Sequence, residues 1–111
     1  MYSTFYGKIT DDDLLGHRST IAYDSHFNRD FNEIVDFTAV TEPHITEAAL
    51  SKMAESQSLY SDSVLHIVVA PADLAFRLAS QFQRFAQETR HNLLVVRTRD
   101  EAYKLLGIGP E

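Results

Sequence analysis

Short apolar runs recur along the chain, and each is followed by a segment whose apolar residues fall three and four positions apart. The runs are typical of buried β-strands, and their Val and Ile content favours the interior of a sheet. The segments between them have the period of amphipathic helices. The predicted strands are Tyr2 to Ile9, Glu33 to Val40, Val64 to Ala70 and Asn92 to Thr98.

Residues that favour a helix start precede the helical segments. Thr10 stands before three aspartates, whose charge suits the first turn of a helix, and Thr46 is the expected N-cap of the next helix. Thr98 and Glu101 have the spacing of a capping box, and Asp73 to Glu88 predicts the longest helix. The order β-α-β-α-β-α-β-α predicts a single α/β domain, with a four-stranded, largely parallel sheet flanked by helices and joined by right-handed crossovers.

Length and charge limit the possible functions. The chain has 111 residues, which suits one domain, and 16 acidic residues against 10 basic ones give a formal charge of −6. A negative chain repels a phosphate backbone, so we expect no nucleic-acid partner. The sequence starts without a signal-peptide pattern and has no apolar run of about 20 residues, so we expect a cytoplasmic protein with no membrane span.

Sequence motifs of catalysis and cofactor binding are missing. The chain has no cysteine, no G-x-S-x-G elbow, no Walker loop and no G-x-G-x-x-G after a strand. Its five histidines lie on different predicted segments without metal-ligand spacing, so we expect no metal and no cofactor. A small acid/base enzyme that uses Asp36 with His66 or His44 is an alternative, although hydrogen-bonded structural roles are commoner for such buried groups.

The hinge Pro71-Ala72-Asp73 connects the third strand to the longest helix. Ligands of α/β proteins often bind where a strand enters a helix. Pro71 has no N–H to donate and the carboxylate of Asp73 is expected to satisfy the helix end, which disfavours an anion site. Phe76 lies about 200° around the helix from Leu74, and it is a candidate to line a cleft or join a dimer contact.

Four segments resemble the SpoIIAA-like group of the STAS superfamily, which shares its fold with lipid-binding Sec14-type domains. They are "GKITDDDLLGHR", "EIVDFTAVTEPHIT", "HIVVAPADLAFRLASQFQ" and "VVRTRDEAYKLLG", and together they cover almost the whole chain. The resemblance implies a sheet flanked by helices and a role in regulation or protein interaction. None of the shared residues is a catalytic signature.

The best-known members of that superfamily are anti-sigma factor antagonists, which carry a D-S-S-G-L-type segment whose serine is phosphorylated. The corresponding stretch here is "PHITEAAL", in which His44 falls near the aspartate and only Thr46 keeps a hydroxyl. Thr46 is therefore a weak candidate phosphosite. Glu47 beside it would repel a phosphate of charge about −1.5 to −2, which favours a structural N-cap instead.

The leading interpretation is a cytoplasmic, non-enzymatic regulatory or protein-interaction module, whose partner is another protein or, through a helix face near Phe76 and Arg77, a second copy of the chain. Binding of a small apolar ligand or a lipid is the first alternative, and the acid/base enzyme is the second. We expect a ligand site to be lined by Ala70 to Phe76, Val40 to Thr46 and Thr98, where strands end. The candidate ligand or interaction residues are Phe76, Arg77, Asp73, His44, Thr46 and Asp36.

Overall fold

Strands and helices alternate along the chain in the predicted order. The structure, a computed structural model, describes residues 2–25, 28–55, 64–87 and 92–107. The predicted α/β fold with a four-stranded sheet is confirmed, and every strand pair is parallel. The elements are β1 (Tyr2–Thr10), α1 (Asp11–Ala22), β2 (Glu33–His44), α2 (Glu47–Glu55), β3 (His66–Val69), α3 (Asp73–Phe85), β4 (Leu93–Val96) and α4 (Arg99–Leu106).

The strands lie side by side in chain order, β1-β2-β3-β4. Glu33 of β2 pairs with His66 of β3, and His66 in turn pairs with Leu93 of β4. The first residues of three strands are therefore level, at the amino end of the sheet. Because side chains alternate between the two faces of a strand, residues paired in register point to the same face.

The two faces of the sheet are covered differently. On one face Ala75 and Ala79 of α3 pack in a cluster with Val68 and Leu93. On the other face Ala102 of α4 packs in a cluster with Ile34, Ile67, Val69 and Val96. The alternation of Ile67, Val68 and Val69 between these clusters explains why β3 is apolar throughout.

Three predicted capping residues, Thr10, Thr46 and Thr98, occupy helix N-termini. The side chain of Thr98 accepts a hydrogen bond from the N–H of Glu101, and Thr10 forms a capping box with Asp13. The N–H of Ala49 donates to Oγ of Thr46, so Thr46 is the N-cap of α2 as predicted. The run of aspartates thus contributes to helix capping at Asp13.

Several element ends differ from the prediction: β1 reaches Thr10, and β3 and β4 are shorter than expected. β2 continues past Val40 to His44, because its last residues pair with the end of β1. α3 ends at Phe85, before the predicted end at Glu88, which lies outside the described residues. In the described part of the chain, no helix combines the length and the apolar character that crossing a membrane requires.

Candidate functional site

A cavity of about 390 Å³ lies between the sheet and helices α1, α2 and α3. Most of its wall is apolar, with aromatic rings from two strands and one helix. Phe5 and Phe37 stack with their ring centroids 5.2 Å apart on adjacent strands, and Phe82 of α3 faces the same space. Clefts and cavities of this size with mainly apolar walls are typical of sites for small molecules.

Small side chains on α3 leave part of this space unfilled. Ala75 and Ala79, one helical turn apart, line the cavity opposite Val35 and Val68 of the sheet. Larger residues at both alanines would fill the volume, since side chains four positions apart on a helix share one face. The cavity therefore follows from the choice of alanine on the buried face of α3.

Two ionisable side chains meet in the cavity wall at the amino end of the sheet. Nε2 of His66 lies 2.5 Å from Oε1 of Glu33, and their side chains are only 12% and 2% exposed. In-register pairing of the two residues places both on the cavity face. An imidazole and a carboxylate at this distance satisfy each other, which reduces the cost of burying them.

His17 of α1 contributes a third polar group to the wall. Its ring packs edge-on against Phe5, with centroids 5.0 Å apart. Burial lowers the pKa of His17, as does the nearby His66, while the Glu33 charge acts in the opposite direction. Nε2 of His17 is buried, and no atom of the described residues forms a hydrogen bond with it.

Asp36, a predicted site residue, lies on the opposite face of the sheet. Its buried carboxylate accepts hydrogen bonds from the N–H and hydroxyl of Thr38, from the hydroxyl of Tyr2 and from Nε of Arg99 at 2.8 Å. Burial raises the pKa of Asp36, but these hydrogen bonds outweigh it and lower the pKa overall. Burial and the bond to Asp36 raise the pKa of Tyr2 to about 12. The cluster connects β1, β2 and α4.

The hinge residue Asp73 forms an ion pair in place of the expected helix cap. Ala72 is the N-cap of α3 without a side-chain cap, and Nη1 of Arg97 donates to Oδ1 of Asp73 at 2.8 Å. This bond and the Arg97 charge lower the pKa of Asp73. The expectation that Asp73 satisfies the helix end is wrong, because its carboxylate binds Arg97 of the neighbouring strand end.

Phe76 is half-buried and packs against the cluster on the α3 face. The guanidinium of Arg97 lies 3.9 Å from the centre of the Phe76 ring, which is a cation–π contact. Arg97 therefore covers part of the surface where a partner or ligand was expected. Arg77, the neighbouring candidate, is exposed.

His44 and Thr46 lie near the carboxyl end of β2. His44 is exposed, and its Nε2 lies 3.9 Å from Oε2 of Glu42. The hydroxyl of Thr46 donates to Oδ2 of Asp11 at 2.7 Å, and its N–H donates to Oδ1 of the same residue at 2.8 Å. Asp11 thereby holds the end of β2 against the start of α1.

The structure does not bring the six candidate residues into one site. None of them lines the cavity, although Val40, Pro43, Ile45 and Ala75 from the predicted segments do. The strands lie in chain order across the sheet. In parallel sheets, a ligand crevice at the carboxyl ends of the strands forms where the strand order reverses, and this sheet has no such point. Asp36 and His66 lie on opposite faces, so the residues of the predicted acid/base pair are separated by the sheet.

Sequence reasoning missed Glu33 and His17. The sequence did contain a signal for Glu33. Because side chains alternate along a strand, Glu33 shares a face with Val35 and Phe37, and it is buried if that face is covered. His17 gave no comparable signal. Within the described residues, no group of three His, Asp or Glu side chains has the geometry of a metal site.

Comparison of the chain with family models, with curated proteins and with solved structures found no match.

Proposed function

We propose that this protein binds a small, mainly apolar molecule in the cavity between the sheet and helices α1 to α3. The cavity of about 390 Å³ is the observation that carries the proposal. Its aromatic and aliphatic wall, with polar groups concentrated at Glu33, His66 and His17, matches the usual composition of ligand sites. Transfer of apolar surface from water into such a wall contributes about 25 cal/mol per Å².

The volume indicates the size of the molecule. An apolar cavity of about 150 Å³ accommodates benzene, so the present one accommodates a molecule of roughly 10 to 15 carbon atoms. A fused two-ring aromatic falls within this range. Binding needs no opening of the sheet, because the space already exists among α1, α2 and α3.

Titration with 2-methylnaphthalene, followed by calorimetry and by amide NMR shifts, tests the proposal. We expect saturable binding of one molecule, with shifts concentrated at residues such as Phe37, Val68 and Ala79. The variant Ala79→Phe fills the cavity and should abolish binding. Ala48→Phe makes the same change at an exposed position of α2 and should bind normally.

Two results would contradict the proposal. The first is an absence of saturable binding to the wild-type protein. The second is equal binding by Ala79→Phe and the wild type, since the molecule would then occupy another place.

A second candidate function is the cytoplasmic interaction module implied by the SpoIIAA-like resemblance. The observation that favours it is β1, a nine-residue strand at the edge of the described sheet. Edge strands offer backbone N–H and C=O groups to a second chain. Tyr6 of β1 is 74% exposed and adds an aromatic contact.

Light scattering over a range of concentrations tests self-association of this kind. Tyr6→Lys should shift a dimer toward the monomer, because a lysine on an edge strand opposes pairing. Tyr23→Lys changes a tyrosine that is 90% exposed beyond the end of α1, and it should leave the dimer intact. A wild-type protein that stays monomeric at all concentrations would exclude self-association.

A further inference from the structure

Helix α1 covers the cavity but contributes little to the apolar packing of the fold. Its residues Leu14, Leu15 and Ile21 all line the cavity wall. Neither of the two apolar clusters in the described residues includes a residue of α1, whereas each of the other three helices contributes to one of them. The inner face of α1 therefore lies mainly against the cavity, where the other helices lie against the sheet or each other.

The first turn of α1 is fixed by hydrogen bonds. Thr10 and Asp13 form a capping box at the start of the helix. The carboxylate of Asp11 accepts hydrogen bonds from the N–H and the hydroxyl of Thr46, at the start of α2. Beyond the last turn, Tyr23 is 90% exposed. An opening of α1 that begins at its carboxyl end therefore leaves the bonds of the first turn intact.

A glycine in the middle of α1 favours such an opening. Gly16 has no positive φ, and a methyl group added to it would have no atom of the described residues within 4 Å. Glycine inside a helix favours the unfolded form about fivefold more than alanine does. Elements with few buried apolar contacts open locally at a lower free energy than the core. Both features indicate that α1 opens more readily than α3.

We infer that α1 is the movable cover of the cavity: it unfolds locally to admit the molecule, and the bound molecule then holds it closed. The inference rests on the proposed function, because it assigns the entrance of the same cavity. Of the described residues that line the cavity, only Ser19 and Lys52 are exposed, so access to the closed form is restricted. A bound molecule packs against Leu14, Leu15 and Ile21 and adds apolar contacts that stabilise the closed form.

Native-state hydrogen exchange, followed by NMR at increasing urea concentrations, tests the opening. In the protein without ligand, amides of α1 should exchange about a hundredfold faster than those of α3 after correction for intrinsic rates, and with a weaker dependence on urea. At about ten times its dissociation constant, 2-methylnaphthalene should slow exchange in α1 about tenfold, because the open form does not bind it.

A substitution at Gly16 tests whether the molecule enters through this opening. Gly16→Ala should slow both association and dissociation of 2-methylnaphthalene about fivefold and leave its dissociation constant unchanged, because the closed form is stabilised equally with and without the molecule. Stopped-flow measurement of naphthalene fluorescence gives both rates. Lys104→Gly makes a similar change of opposite sign at an exposed position of α4, and it should leave both rates within a factor of about two of the wild type.

The outcomes separate this inference from the proposed function. If 2-methylnaphthalene does not bind, the proposed function fails and the role of α1 fails with it. If it binds while α1 exchanges only through global unfolding, or if binding leaves exchange in α1 unchanged, only the inference is overturned. Equal rates in Gly16→Ala and the wild type would also overturn it, because the molecule would then enter without unfolding of α1.

Discussion

Nε2 of His66 lies 2.5 Å from Oε1 of Glu33, and the two residues begin adjacent parallel strands in register. Both side chains are nearly enclosed, and both contribute to the wall of the cavity. A buried acid–base pair of this kind holds two polar groups at one end of an otherwise apolar space. Its stability contribution can be measured separately from that of the cavity.

Removal of one partner of this pair should destabilise the fold. Glu33→Leu and His66→Leu should each lower the free energy of unfolding by about 3 kcal/mol, because each removes the close contact between two buried polar groups. The double variant should lose clearly less than the sum of the two. Urea denaturation followed by circular dichroism measures all three values.

The exposed pair His44 and Glu42 provides the control. Their atoms are 3.9 Å apart in a solvated setting, so the same double-variant cycle should show no coupling. Additive effects at Glu33 and His66, within about 0.5 kcal/mol, would contradict a direct interaction between them.

The second prediction concerns larger side chains on the helices that cover the two faces of the sheet. Ala79→Leu should keep or raise the melting temperature, because the added methyl groups enter existing space beside Val68. Ala102→Leu should lower the free energy of unfolding by about 1 to 3 kcal/mol, because Ala102 is fully buried in the cluster under α4. Thermal unfolding measures both.

Both substitutions replace a buried alanine within a helix by leucine, so the change in residue type is matched. Equal destabilisation by both substitutions would show that the space beside Ala79 does not accept a leucine. It would count against a ligand in that space as well.

The order of strands and helices followed from local patterns. Side-chain periodicity depends on residues within one element, and capping at Thr46 and Thr98 depends on residues three positions apart. Such relations are readable in a sequence. For this reason the α/β order and the N-caps Thr10, Thr46 and Thr98 were predicted, whereas the start of α3 was not.

The site could not be predicted in the same way, because it depends on distant contacts. Asp36 meets Arg99, which is 63 residues away, and Asp73 meets Arg97 across the sheet end. The cavity depends on how closely three helices approach the strands, and no local pattern records that distance. The sequence placed Glu33 on a strand. Predicting that it is buried requires knowledge of which face of the sheet α1 to α3 cover.

A third prediction concerns Asp36 and pH. Asp36→Asn should lower the free energy of unfolding at pH 7 by about 2 kcal/mol, because an amide replaces a carboxylate that accepts bonds from Thr38, Tyr2 and Arg99. Folding lowers the pKa of Asp36 below its ordinary value of 3.8, so its charge stabilises the fold above that pH. The difference between variant and wild type should therefore shrink as the pH falls from about 4 toward the folded-state pKa.

Denaturation at several pH values between 7 and 2 measures this difference. Asp73→Asn serves as the control, because its pair with Arg97 is exposed and solvent screens it. We expect little change in stability from that substitution at pH 7. A loss in Asp36→Asn that stays constant down to pH 2 would contradict the role of its charge.

The last prediction concerns modification of Thr46. Its hydroxyl donates to Asp11 at 2.7 Å and accepts from the N–H of Ala49, so it is both the N-cap of α2 and a bridge between the starts of α1 and α2. Thr46→Ala should lower the free energy of unfolding by about 1 kcal/mol, while Thr46→Ser keeps both bonds. Thr46→Glu should be less stable than Thr46→Ala, because a second carboxylate meets Asp11 and Glu47.

Adding Asp11→Asn to the Thr46→Glu variant should restore part of the lost stability, since the amide cannot repel the new charge. Urea denaturation of these variants at low and moderate salt measures the repulsion, which salt should weaken. A Thr46→Glu variant as stable as the wild type would remove the electrostatic objection to phosphorylation. Thr46 would then remain a candidate phosphosite, with Asp11 as a neighbour that tolerates the added charge.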